Sequence, residues 1–191
     1  MKDQLEHFIR LNVKNPNDEE IKAILEIFHL KHFQKGEYFK QSNNLSTEIG
    51  FIIEGGVRHY IVKNNGNEVT GRILQKNNFT IDIISSRTKE KTLISIIAME
   101  PTIMLVASIE NMNKLFEVNL TLNRLIREYI LDKLVDLGKL SILFLAGTGK
   151  ERYDFILENN PALLKKTPLR FIASMIGITA TQLSRIRKNR K

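Results

Sequence analysis

Cysteine is missing from this sequence altogether, which excludes disulfides, thiolate metal sites and cysteine-bound iron–sulfur clusters. Histidine is scarce and scattered, at His7, His29, His32 and His59. His29 and His32 stand three apart, but no HExxH or His-x-His cluster with a nearby carboxylate goes with them, so neither a metal site nor a cofactor is expected. The opening residues MKDQLEHFIRLN have no apolar core of the kind a signal peptide needs. No apolar run approaches membrane-spanning length either, and the expectation is a cytoplasmic protein with no membrane partner. There is no internal repeat and no low-complexity segment. Acidic residues are absent after Glu158, where Lys165, Lys166, Arg170, Arg185, Arg187, Lys188, Arg190 and Lys191 stand unopposed. The other 21 of the 29 basic residues balance the 21 acidic ones, so the whole net charge of +8 belongs to this last segment. A charge serving solubility would be spread more evenly, whereas attraction to phosphates needs it concentrated.

That terminal stretch, TPLRFIASMIGITATQLSRIRKNRK from Thr167 to Lys191, reads as two short helices around a tight turn. Thr167 is expected as N-cap with Pro168 at the first helical position, where a missing N–H costs nothing. Leu169, Ile172, Ala173 and Ile176 follow at the spacing of one buried face. Gly177 supplies the positive φ of a sharp reversal, Ile178 plugs the corner, and Thr179 with Gln182 forms a capping box for the second helix. At about 100° per residue, Leu183 and Ile186 point inward, while Thr181, Ser184, Arg185 and Lys188 share the opposite face. This is the layout of a helix-turn-helix whose second helix enters the DNA major groove. The other reading of the same residues is an ordinary packed corner with a solvated basic rim.

At 191 residues and 42% hydrophobic, the chain can bury one sizeable core or two modest ones. From Gln4 to Phe28 the spacing is helical, with a break at Asn15-Pro16-Asn17-Asp18 and a second helix capped by Asn17 or Asp18. From Leu30 to Ile109 the period shortens. Runs at Phe51-Ile53, His59-Val62, Glu68-Thr70, Arg72-Leu74, Phe79-Ile83, Thr92-Ala98 and Ile103-Ala107 alternate with turn signals such as Gly55-Gly56 and Asn64-Asn65-Gly66-Asn67, which predicts an antiparallel sandwich or barrel of jelly-roll type. A cupin-like metalloenzyme on such a roll would need a histidine and carboxylate cluster, and only His32 and His59 are available. After Asn119 the chain turns helical for more than twenty residues. Leu122, Leu125, Ile126, Tyr129, Ile130, Leu134, Leu137, Leu140 and Phe144 leave no gap above four, a stripe too long for one small domain to cover. A second copy of the helix would cover it in a two-fold dimer; packing wholly on its own domain is the alternative. Ala146-Gly147-Thr148-Gly149-Lys150 fails the GxxxxGK[ST] pattern and reads as a hinge. The expected division is 1–118, 119–146 and 147–191.

In this order of parts the chain resembles the Crp/Fnr family of bacterial transcription regulators over nearly its full length. The most specific match lies in ERYDFILENNPALLKKTPLRFIASMIGITATQLSRIRK: Arg152-Tyr153 in the first domain helix, Pro161-Ala162-Leu163 at a corner, Ile172-Ala173-Ser174 in the supporting helix, Gly177-Ile178-Thr179 at the turn and Leu183 to Arg187 in the reader. Lys35 to Glu37, Ile52 to Tyr60 and Asn65 to Thr70 look like the family's first turns and hairpins. The resemblance implies an α+β protein: a jelly-roll (double-stranded β-helix) sensor domain like those that bind cyclic nucleotides, a long dimerisation helix and a winged helix-turn-helix. It further implies a homodimer on an inverted-repeat double-stranded DNA site, RNA polymerase as a protein partner, and no enzymatic activity. The matching effector positions are Ile81-Asp82-Ile83, where cyclic AMP binders carry Gly-Glu-Leu, and Lys91-Thr92, where they carry Arg-Ser or Arg-Thr. Ile81 puts a side chain where backbone must approach the ligand, and Lys91 lacks arginine's bidentate grip, so the effector implied is an unknown small molecule other than cyclic AMP.

The expected activity is sequence-specific DNA binding. Arg185 would meet a guanine edge, Thr181 and Ser184 would read neighbouring bases, and Gln182 would assist at the flank. Arg187, Lys188, Arg190 and the helix start at Thr179 would hold phosphates. Ala180 and Thr181 stand where the best-known activators have Arg and Glu, which implies a different, more A·T-tolerant operator. The competing reading is a small-molecule sensor that acts through protein partners with a helix-turn-helix that no longer reads DNA.

Overall fold

The computed structural model describes residues 1–189. Arg190, expected at a phosphate, lies outside the described residues. Contacts divide the chain into two compact units, Met1–His59 with Leu74–Ile130, and Tyr60–Ile73 with the chain from Leu131 on.

The first unit starts with two helices at the predicted spacing. Helix α1 (Lys2–Asn12) buries Leu5 and Ile9 completely. Helix α2 (Asp18–Ile27) is capped by Asn17, whose side chain accepts the Glu20 amide at 3.0 Å, and it buries Ile21 and Ile24. Acidic Asp18, Glu19 and Glu20 fill its first turn, where the helix dipole favours them.

Eight strands follow: β1 (His29–Phe33), β2 (Tyr38–Lys40), β3 (Glu48–Glu54), β4 (Gly56–Val62), β5 (Glu68–Gln75), β6 (Phe79–Thr80), β7 (Ser95–Ala98) and β8 (Thr102–Ser108). They form two four-stranded sheets, ordered β1-β8-β3-β6 and β2-β7-β4-β5. Pairing is antiparallel, with Phe51 opposite Leu105 and Gly50 opposite Val106. Side chains alternate between the faces of a strand, and β3 and β8 are apolar on both. Ile49, Phe51 and Ile53 of β3, with Leu105 and Ala107 of β8, pack against the helices. Ile52, Met104 and Val106 point the other way and meet Val57, Leu74 and Ile96 of the second sheet. The two sheets of the expected roll are present. The run Phe79-Ile83, however, is strand only at Phe79-Thr80, because Asp82 caps a short helix α3 (Ile83–Thr88) by accepting the Ser85 amide at 3.2 Å.

Two helices follow, and the first unit ends at Ile130, inside the second of them. Ser108 caps α4 (Ile109–Phe116). Helix α5 (Leu120–Ala146) begins where the sequence predicts and buries Thr121, Leu122 and Leu125. Its Tyr129 hydroxyl accepts the Phe79 amide at 3.0 Å and its ring lies edge-on to Phe79, 5.3 Å between centroids.

The start of α5 is capped from a distance. The Glu20 carboxylate accepts the amides of Leu120 and Thr121, each at 3.0 Å, and the Thr121 hydroxyl as well. The Thr121 hydroxyl and then the two amides hold the Glu20 carboxyl below the usual carboxylate range. Its stabilisation is therefore complete above that range and fades as the pH falls through the lowered folded value. Glu20→Gln should reduce stability by about 1 kcal/mol at neutral pH, read as a lower midpoint in urea unfolding, and the gap to wild type should close in acid. An equal gap at neutral and acid pH would disprove the capping role.

Candidate nucleic-acid interface

The second unit carries four helices after Leu131. The capping box of Thr148 and Glu151 starts α6 (Gly149–Asn159), so the GTGK stretch ends α5 at Ala146 and begins the next helix. Helix α7 (Pro161–Lys166) has Asn160 as its cap and Pro161 in its first turn. It occupies the position between α6 and α8 (Leu169–Met175). Among the described residues no strand follows β8, so the wing that the resemblance implies is not seen among them. Proline at a helix start and a capping asparagine favour a helical turn here, and Leu163 buries it.

Thr167 is not the cap of α8. It closes α7 as a buried residue, and Pro168 caps α8 without a side-chain bond, its ψ of 132° still extended. The apolar face is otherwise as expected, with Ile172, Ala173 and Ile176 buried. Gly177 turns the chain at φ +70°, and a Cβ there would come within 3.1 Å of both Arg152 and Phe144. The Arg152 guanidinium donates to the Ile176 carbonyl at 2.8 Å and lies 4.8 Å from the Phe144 ring centroid. It satisfies a carbonyl at the end of α8 that the helix itself leaves open. Tyr60–Ile73, the tip of the β4–β5 hairpin, belongs to this unit as well, and its Thr70 amide donates to the Ser174 hydroxyl at 3.0 Å. Neither role was legible, since each partner is distant in sequence.

Helix α9 (Ala180–Lys188) has the predicted capping box: the Gln182 amide donates to the Thr179 hydroxyl at 3.1 Å, and the Thr179 amide to the Gln182 side-chain oxygen at 2.8 Å. Gln182 is thus committed to the helix start. Leu183 is fully buried and Ile186 half-buried. Thr181, Ser184, Arg185 and Lys188 are exposed and, spaced i, i+3, i+4 and i+7, line one face; Arg187 is exposed beside them. Among the described residues no carboxylate pairs with Arg185, Arg187 or Lys188. Three cations also suit the negative end of this helix. The exposed polar face beside them is what a helix dipole alone does not require.

The other predicted cluster lies in the first unit. Asp82 and Thr92 come together, but around a partner that was not anticipated. Asp82 and Lys40 form an ion pair at 2.8 Å, 0% and 4% exposed. The Lys40 ammonium also donates to the Thr92 hydroxyl and the Ile94 carbonyl, each at 2.8 Å, and Thr92 donates to Asp82. Burial pushes the Asp82 carboxyl up, yet the bonds from Lys40, Thr92 and the Ser85 amide outweigh it and hold the carboxyl low. Ile81 is half-buried, while Ile83 and Lys91 are exposed. Among the described residues no group of three histidine, aspartate or glutamate side chains is placed to hold a metal ion. No helix among them is long and apolar enough to cross a membrane.

No family model matches the chain, and no curated protein does. Solved structures do match. FixK2 from Bradyrhizobium japonicum is 16% identical and superposes with a TM-score of 0.71, over 85% of this chain and 84% of that one. The c-di-GMP-responsive global regulator CLP of Xanthomonas campestris is 12% identical, with 91% of each chain covered and a TM-score of 0.63. A Eubacterium rectale protein assigned to the Crp/Fnr family of transcriptional regulators is 18% identical, with 91% of this chain and 82% of that one covered and a TM-score of 0.64. The fold of the Crp/Fnr regulators, implied by the residues of the closing motif, is the fold this chain has.

Proposed function

We propose that the protein is a sequence-specific DNA-binding transcription regulator that works as a homodimer. The observation that carries this reading is α9: a helix capped at its start, anchored by Leu183, with Thr181, Ser184, Arg185 and Lys188 on one open face. Arg185 reads a guanine edge, Thr181 and Ser184 read its neighbours, and Arg187, Lys188 and the amides at Thr179 hold phosphates. Gln182, committed to the capping box, contributes through the helix start. RNA polymerase is the protein partner that goes with this reading.

The dimer rests on α5. Leu131, Leu134, Val135, Leu137 and Ile142 are 48–66% exposed, an apolar surface that a soluble single copy has no reason to keep. A second copy of the helix covers it and presents two α9 helices to one duplex, on half-sites about 34 Å apart. Cyclic AMP is not the signal in this reading, because Asp82 and Thr92 already satisfy one another and Lys40. The division into a roll of 1–118, a dimer helix of 119–146 and a reader from 147 on belongs to the same proposal.

Arg185→Ala should lower affinity by about 1–3 kcal/mol for sites with the right base at one position, while Lys188→Ala weakens all sequences alike and lowers the salt slope by about one. Equal losses on specific and random DNA from both variants would refute the reading role of Arg185. Absence of any steep salt dependence would favour a sensor that acts through protein partners. Leu134→Glu should shift the protein from dimer to monomer in sedimentation, with the fold retained by circular dichroism. A wild-type monomer would remove the two-fold reading.

A further inference from the structure

Outside the candidate DNA interface, the first unit has a groove of about 350 Å³ between the loop before β3, the end of α3 and the start of α4. That volume is in the range of a small-molecule site. Ser46, Ser85, Lys89, Ser108 and Glu110 are among its lining residues. What distinguishes it is the sense of its hydrogen bonds. Ser46 is 6% exposed, and its hydroxyl has no partner among the described residues. A buried hydroxyl left unpaired costs about 1–3 kcal/mol, so such a group asks for a ligand or a water. The Ser85 oxygen already accepts the Ser46 amide at 3.0 Å, and the Ser108 oxygen accepts the Asn111 amide at 3.0 Å. With their oxygens used in this way, both hydroxyls keep a hydrogen to donate.

Charge agrees with this polarity. Lys89 ends α3 in the left-handed region at φ 59°, exposed, with no ion pair among the described residues. The N-terminal end of α4 adds its partial positive charge. The one opposing group is the Glu110 carboxylate, which is drawn to Lys114 at 2.6 Å and is exposed. We infer that this groove binds a small oxyanion, the phosphate or carboxylate group of a metabolite, through the hydroxyls of Ser46, Ser85 and Ser108 and the ammonium of Lys89. It adjoins the Asp82 cluster through Ser85, whose amide donates to the Asp82 carboxylate, and does not depend on DNA binding.

The test is a titration of the full chain with inorganic phosphate, and in parallel with acetate, at constant ionic strength, followed by amide chemical shifts. Saturable shifts should centre on Ser46, Ser85 and the first turn of α4, and the tighter of the two probes identifies the anion class. Lys89→Gln should weaken binding roughly tenfold, as loss of a charge-assisted bond does. Ser46→Ala should weaken it several-fold; its hydroxyl has no structural partner to lose, so the fold should survive. Saturation unchanged in both variants, or shifts confined to Arg185, Arg187 and Lys188, would overturn the site.

Discussion

The first unit depends on one sheet being apolar on both faces. β3 and β8 form its centre, and each alternates its side chains between a helical layer and the second sheet. Burial on both sides leaves such a strand few alternatives in register, since a slip by one residue would exchange the two cores. Gly50 marks how tight the arrangement is: a Cβ there would stand 3.0 Å from Met104 and Thr80. The helices are fixed to this sheet by Phe8, Phe51, Phe79 and Tyr129, whose rings meet tilted or edge-on rather than stacked flat.

The second unit is held by a different kind of bond. Its short helices have few residues to bury, and their ends are secured one by one: Thr148 with Glu151, Asn160 with the Leu163 amide, Thr179 with Gln182, and Arg152 on the Ile176 carbonyl. Helices of six to eleven residues are marginal on their own. End groups therefore matter more here than in the roll. They also fix the direction in which α9 presents its polar face, on which the proposed reading of DNA rests.

Local signals were legible in the sequence and long-range ones were not. The cap at Asn17, the turn at Gly177 and the box at Thr179 each rest on residues within a few positions of one another, and each is found as expected. The helix α3 was hidden because Ile81 and Ile83 are β-branched, and the cap that overrides them is Asp82. Its ion-pair partner Lys40 lies in a Tyr-Phe-Lys strand that gives no sign of a buried cation. Strands β1 and β2 were missed for a related reason: their residues are largely polar or exposed, and pairing with β8 and β7 defines them. Glu20 lies a hundred residues from the amides it accepts. Proline before α8 was read one position too far into the helix, within the usual slack of a helix boundary.

The Lys40–Asp82 pair also constrains how this protein can change over evolutionary time. Either residue alone, once its opposite is lost, becomes an unneutralised charge in a dry interior, a defect of about 3–5 kcal/mol. That is a large share of the stability of an ordinary domain. Drift at position 40 or 82 is therefore coupled, and a descendant that put Asp82 to another use would first have to replace the lysine and rebuild the α3 cap.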